Sequence, residues 1–293
     1  MVLEMDVWII VNPTLRVFLY AASFLSVGTF LFSLHFSKHL TVAQKSYCDH
    51  LAFKTALVGS VISLLMFFSV AGSLGGDIAS VIEPLMLQLA LESKSGVGFL
   101  TAFISFMVMS MAHRLRGHAN RFGLLVSSAA LLLSFTMSGH SQLGGFLSQL
   151  LLMVHLFGIA FWLGALFPFH WMCLQPDTHN LSIVAHRFGV FAMGYVSLLF
   201  SAGVGYAYLL LGDVSLMLTT QYGNVLLSKI VLVAALLSLA ALNKFKLVPS
   251  LEPRWTPNVR QFQRSIQFEI AIALIILTAS SLLTTSMTLP MGM

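Results

Sequence analysis

Long uncharged apolar stretches alternate along this chain with loops, and Lys and Arg gather in every second loop. The clusters run from Lys38 to Lys54, from Arg114 to Arg121 and from Lys244 to Arg264, with Arg187 in a further odd-numbered loop. The loops between them hold only Lys94. Lipid leaves a spanning backbone two choices, helices or a closed barrel. These runs are continuously apolar with no alternation of period two, so they predict helices. Basic residues remain on the cytoplasmic side of a membrane, so both chain termini are expected on the outer side.

Eight spans follow, each near the ~20 residues that cross a bilayer: approximately Pro13–Phe36, Phe53–Ser73, Gly96–His113, Phe122–Ser138, Phe146–Trp171, Phe188–Leu211, Tyr222–Leu242 and Ser265–Ser286. Residues 1–293 read as one all-α integral membrane domain, a polytopic bundle with helices one to four in 13–138 and helices five to eight in 139–293. Charged residues make up 9% of the chain and hydrophobic ones 58%. A soluble domain has about 25% charged residues, so the partner of this surface is lipid. The net charge of +5 belongs to loop ends and does not suggest nucleic acid. The first stretch is too long for a cleavable signal, and Glu4 and Asp6 precede it, so it reads as a retained span. Asn12 before Pro13 reads as its N-cap, which places Arg16 in the first turns, able to snorkel to the surface.

The apolar segment Ile78–Leu91 is too short to span and reads as an outer-surface helix. Leu19 and His155 precede Gly28 and Gly164 by one spacing, and "SGVGFL" and "YGNVLL" open the third and seventh spans, which is consistent with a four-plus-four repeat. Cys48 and Cys173 fall on the cytoplasmic side, where packing rather than a disulfide is expected.

Candidate chemistry lies in the few polar residues at membrane depth. His140 ends the fourth span in "TMSGHS", and His155 lies in the outer part of the fifth. The short link between them makes the two helices antiparallel neighbours, so both histidines can face one outward-opening cavity. Met137 precedes His140 by three residues, on one helical face, and Gly158 leaves room beside His155. Imidazole with thioether suits copper, since Cu(I) is soft and histidine serves Cu(I) and Cu(II). The same histidines also fit hydrogen-bonded contacts between helices. Met287, Met291 and Met293 follow the last span on the outer side and suit metal capture, although methionine is equally common as packing. His35, His113 and His170 end spans on the cytoplasmic side, as an exit site or as ordinary loop-end histidines. Lys229 and Glu269 are intramembrane charges, expected at different heights and therefore not paired with each other. No Walker loop, no strand-borne GxGxxG and no HExxH appears, so no enzyme activity or ATP hydrolysis is expected.

The motifs "SGHS" at His140, "VHLFGIAFWLGAL" from Val154, "HRFGVFAM" at His186, "TTQYGNVLLSKIVL" with Lys229, "NKFKLVP" from Asn243 and "RSIQFE" ending at Glu269 occur in one order. In these the chain resembles the CopD (PcoD-type) copper resistance family of bacterial inner-membrane proteins. The motifs cover roughly the second half of the chain; the first half matches in topology. Gly164-Ala165, Gly189 and Lys244 stand where the family has Gly-Gly, Ser and Arg. The resemblance implies a multi-pass protein of the bacterial inner membrane that handles copper, with a separate periplasmic CopC-like protein as partner, and it carries the outer-side histidines onto His140 and His155. Copper import is the reading that follows. A b-type haem electron carrier, with the outer and inner histidines as two layers, and a non-transporting copper sensor or assembly factor are the alternatives. Direction of flow, copper oxidation state and homo-oligomerisation stay open.

Overall fold

The computed structural model describes residues 7–139, 144–211, 215–251 and 257–286. His140, Met287, Met291 and Met293 lie outside the described residues. Every regular element among the described residues is helical: α1 (Trp8–Phe36), α2 (Val42–Gly75), α3 (Pro84–Glu92), α4 (Lys94–Ala112), α5 (Gly117–Ser134), α6 (Gly145–Cys173), α7 (His179–Leu211), α8 (Leu216–Thr219), α9 (Gln221–Leu242) and α10 (Pro257–Thr285), with short 3-10 and π turns. Eight of these segments are long and apolar enough to cross a membrane: α1, α2, α4, α5 with its 3-10 extension, α6, α7, α9 with its π and 3-10 extension, and α10. The protein is an all-α polytopic bundle. The segment expected to lie on the surface forms a 3-10 turn, Ala79–Ile82, and α3.

The bundle is built around α1, which packs on α2, α6 and α10. Two thirds of its apolar window is buried, against 6% for α7 and α9. Without a hydrophobic difference between lipid and side chain, close helix approach depends on small residues. Gly28 of α1 and Gly164 of α6 meet at the crossing: a Cβ on Gly28 would overlap the Ala160 carbonyl, and one on Gly164 would overlap the Gly28 backbone. Thr29 Oγ1 donates across the same contact to the Gly164 carbonyl at 3.3 Å. These are the two glycines that share a spacing in the sequence.

Several helices are longer than hydropathy suggested. α2 starts at Val42, where Thr41 and Gln44 form a capping box, and α7 and α10 start at His179 and Pro257. Polar residues end a hydrophobic stretch without ending a helix, so these helices run on past the apolar layer. α1 also starts earlier, at Trp8, and Pro13 lies inside it. Asn12 is therefore not its N-cap; its amide donates to Ser73 Oγ at 3.0 Å. Trp8 is 8% exposed and packs on Gly72, and this burial carries the helix past a proline whose missing N–H costs a single bond of the early turns. The carbonyl of Pro13 accepts from Ser281 Oγ at 2.6 Å, which ties α1 to α10.

Candidate functional site

Two polar sites lie at different heights of the bundle, with His155 of one and Trp162 of the other ~10 Å apart along α6. The first is at the end where α1 begins and α10 stops. His155 is half-buried on α6 against α7. Its Nδ1 lies 3.1 Å from the Leu199 carbonyl oxygen. A carbonyl only accepts, so Nδ1 carries the proton, and in the neutral form of the ring the lone pair is on Nε2. Gly203, one turn after Leu199, makes the bond possible: a Cβ there would come within 2.9 Å of both Nδ1 and Cε1. Gly158, expected to give His155 room, instead packs on Leu199 and the Tyr195 carbonyl. Lys229 of α9 is half-buried within electrostatic reach of His155.

Met137 does not continue a helix toward residue 140. α5 passes into a 3-10 turn at Phe135–Met137, Ser138 is extended, and Gly139 takes φ +77. The chain from Ser138 to Gly139 is therefore not helical, and the pairing of Met137 with His140 falls outside the described residues. The Met137 Cβ packs over Gly98 of α4. Arg16, which sequence reasoning sent to the surface, is 4% exposed. Its Nη2 donates to Ser138 Oγ at 2.9 Å and its Nε to the Tyr20 hydroxyl at 3.2 Å. The guanidinium also lies over the rings of Tyr20, Phe99 and Phe135, at 5.5, 5.6 and 6.0 Å. Cation–π contacts and hydroxyl acceptors replace the water that snorkelling would have supplied. Tyr20 continues to Thr284 Oγ1 at 3.4 Å, and Tyr206 lies close to Arg16, Tyr20 and Tyr222. The residues just before His140 and just before the methionine tail are thus held to the same stretch of α1.

The second site is at the basic-loop end. Glu269 of α10 is 2% exposed. Its Oε2 accepts from Trp162 Nε1 of α6 at 3.0 Å, and its Oε1 accepts a short bond from Asn243 Nδ2 at the end of α9. Both partners were missed from sequence, although Trp162, Asn243 and Glu269 each lie in a separate motif quoted above. These residues line a cavity of about 240 Å³ with Phe169, Phe188 and Lys244. Its side walls are α7 and α9, which pack on α6 and α10 and have little contact with each other. Lys244 Nζ crosses between them to the Gly189 carbonyl at 3.0 Å.

The inner histidines do not come together. His35 has both nitrogens engaged: Nδ1 donates to the Leu31 carbonyl at 2.8 Å, so Nε2 accepts from the Tyr195 hydroxyl at 3.1 Å. His170 Nε2 meets the Gln267 amide at 3.1 Å. His113 faces Phe53, and its buried Nε2 has no hydrogen bond among the described residues. Burial holds the His113 imidazole below its usual range, and Asp49 opposes this only in part. Among the described residues no three His, Cys, Asp or Glu side chains form a metal-sized cluster. Cys48 and Cys173 are buried free thiols.

Family models match most of the chain: Copper resistance protein D over residues 183–283, and the Copper resistance protein D-like N-terminal domain over residues 5–149. The chain belongs to the copper resistance D family. The first half, for which only topology had matched, carries the family's N-terminal domain. No curated protein and no solved structure matches the chain. Membership makes this a multi-pass membrane protein connected with copper resistance, and the first model contains the Leu199–Gly203 turn, Lys229, Asn243 and Glu269.

Proposed function

We propose that the protein takes copper from the periplasmic face of a bacterial inner membrane and moves it inward, with copper as cargo. One observation carries this reading. The His155 ring is pinned by its Nδ1–H to a backbone carbonyl, which leaves the Nε2 lone pair for a metal. A ligating histidine usually has this outer partner, which fixes the tautomer and raises basicity. Imidazole nitrogen suits copper in either oxidation state. His140 is the natural second ligand, because Ser138 and Gly139 just before it are held at the same end by Arg16 and beside Thr284. Met137 is a candidate third ligand, and Met287, Met291 and Met293 are candidates for capture.

Metal arrives in this reading from a soluble CopC-like carrier and leaves the outer site by ligand exchange. Both His35 nitrogens are engaged, so an exit through His35 requires the Tyr195 hydroxyl to let go first. Histidine 155 is the decisive test. His155→Ala in purified, correctly inserted protein is expected to lose Cu(I) binding at the outer site and uptake into proteoliposomes. Wild-type binding by this variant would remove His155 from the site. A visible spectrum of the same sample separates copper from haem, because only haem gives a Soret band.

A further inference from the structure

The cavity at the basic-loop end has a chemistry that copper ligation at the other end does not use. Among the described residues Glu269 is the only ionisable acid in its wall, and its two hydrogen-bond partners, Trp162 and Asn243, are neutral. From α7 the wall presents only uncharged residues, among them Phe188, Gly189 and Ala192. From α6 it presents Trp162, Leu166 and Phe169. From the α9 end it presents Asn243 and one cation, Lys244, whose ammonium is committed to the Gly189 carbonyl. Asn243 is 8% exposed, and its Oδ1 is buried without a hydrogen-bond partner among the described residues. Among the described residues this carboxyl has no paired cation that would fix it as a permanent anion. Most of the cavity wall is apolar, but Glu269, Asn243 and Lys244 give it a polar end with room for water at ~30 Å³ per molecule, which can bring protons to the carboxyl.

We propose that Glu269 and its cavity form a proton-binding site reached from the basic-loop side, and that this carboxyl supplies the countercharge for copper in the inner half of the bundle. The step is a simple exchange. With the inner half empty of metal, a proton is bound at a Glu269 carboxyl oxygen. When monovalent copper enters the inner half, the O–H bond breaks and the proton leaves through the cavity. The carboxylate stays behind, held by Trp162 and Asn243, so the net charge in the low-dielectric bundle is unchanged. When copper departs, a proton returns by the same route. The proton site stands on the cavity geometry alone; the countercharge role rests on the import reading.

Two measurements test it. The first uses metal-free full-length protein in lipid nanodiscs, titrated over roughly pH 5 to 9, where buried carboxyls are known to titrate. Infrared difference spectra should show a protonated-carboxyl band in the wild type that Glu269→Gln lacks. The glutamine oxygen still accepts from Trp162, so the fold has reason to survive. Ala192→Leu, which fills the cavity wall without touching the carboxyl, should keep the band and slow its hydrogen–deuterium exchange several-fold. If Glu269→Gln fails to insert, Trp162→Phe serves instead, since losing one donor must shift the band. Superimposable wild-type and variant spectra across the window overturn the proton site. The second measurement adds Cu(I) to the same nanodiscs in weak buffer and follows proton release with a pH dye. The wild type should release protons that Glu269→Gln does not, counted per copper bound as measured in parallel on each protein. Equal proton release from both overturns the countercharge role. An absence of copper binding in the wild type overturns that role together with the import reading, and leaves the proton site to the metal-free spectra.

Discussion

Gly203→Ala should weaken copper binding without touching a ligand. The added methyl carbon would lie 2.9 Å from His155 Nδ1 and Cε1, closer than packed atoms tolerate. α7 cannot retreat cheaply there, because the Leu199 side chain of the same turn already packs on Gly158 of α6. The ring must rotate away and lose its bond to the Leu199 carbonyl, now 3.1 Å. Overpacking of this kind costs ~1–3 kcal/mol, and the lost hydrogen bond about 1 kcal/mol. Loss of a metal-ligating histidine's outer partner lowers affinity by about 10- to 100-fold, which corresponds to ~1.4–2.8 kcal/mol of binding. Gly194→Ala is the matched control, since a Cβ at Gly194 on the same helix meets nothing within 4 Å. Competition titrations against a chromophoric Cu(I) chelator, on both variants and the wild type, measure the difference. Gly203→Ala is expected about 10- to 100-fold weaker and Gly194→Ala unchanged. An inserted Gly203→Ala protein with wild-type affinity would refute the claim that this tautomer and ring position hold the metal.

Three further outcomes are expected. A reporter fused after Met293 should be active in the periplasm and inactive in the cytoplasm, because Lys and Arg load the opposite loops. If Met287, Met291 and Met293 act in capture, truncation after Ser286 should lower copper uptake mainly at scarce copper, since thioethers offer weak, exchangeable ligation; superimposable titrations of truncated and full-length protein would leave them without a role. His113 is held below its usual range by burial, so folding favours its neutral form. Its contribution is present above the unfolded value of about 6.5 and is lost as pH falls through the folded value. His113→Phe should therefore flatten the acid limb of thermal stability in that window, and an unchanged limb would show that His113 does not contribute to it.

The class of fold was legible because hydrocarbon tolerates no unpaired backbone: a run of ~20 apolar residues has almost one structural solution. The same economy made Lys229, Glu269 and His155 stand out, since a polar group at that depth is expensive and rare in the sequence. Their partners were not legible. Hydropathy records where a residue sits along the membrane normal and nothing about which neighbouring helix it faces. Thus Arg16 looked like a surface-seeking cation, yet the rings of Phe99 and Phe135 and the hydroxyls of Tyr20 and Ser138 let it stay buried.

Helix ends failed for a related reason. Apolar content ends where the lipid ends, but backbone hydrogen bonding continues into polar turns, so α2 and α7 begin well before their apolar cores. Pro13 looked like a helix start because its local chemistry permits one, and the packing of Trp8 on Gly72 decided otherwise. The sequence by itself determined that eight apolar helices cross a membrane, with their basic loops on one side and a handful of polar groups at depth. Only the tertiary structure decided that the Gly28–Gly164 crossing sets α1 against α6, that Gly203 opens the Leu199 carbonyl to His155, and that Trp162 and Asn243 close on Glu269. Each of these depends on contacts between residues far apart in the chain, and such contacts follow from which helix faces which, a relation that no local run of residues encodes.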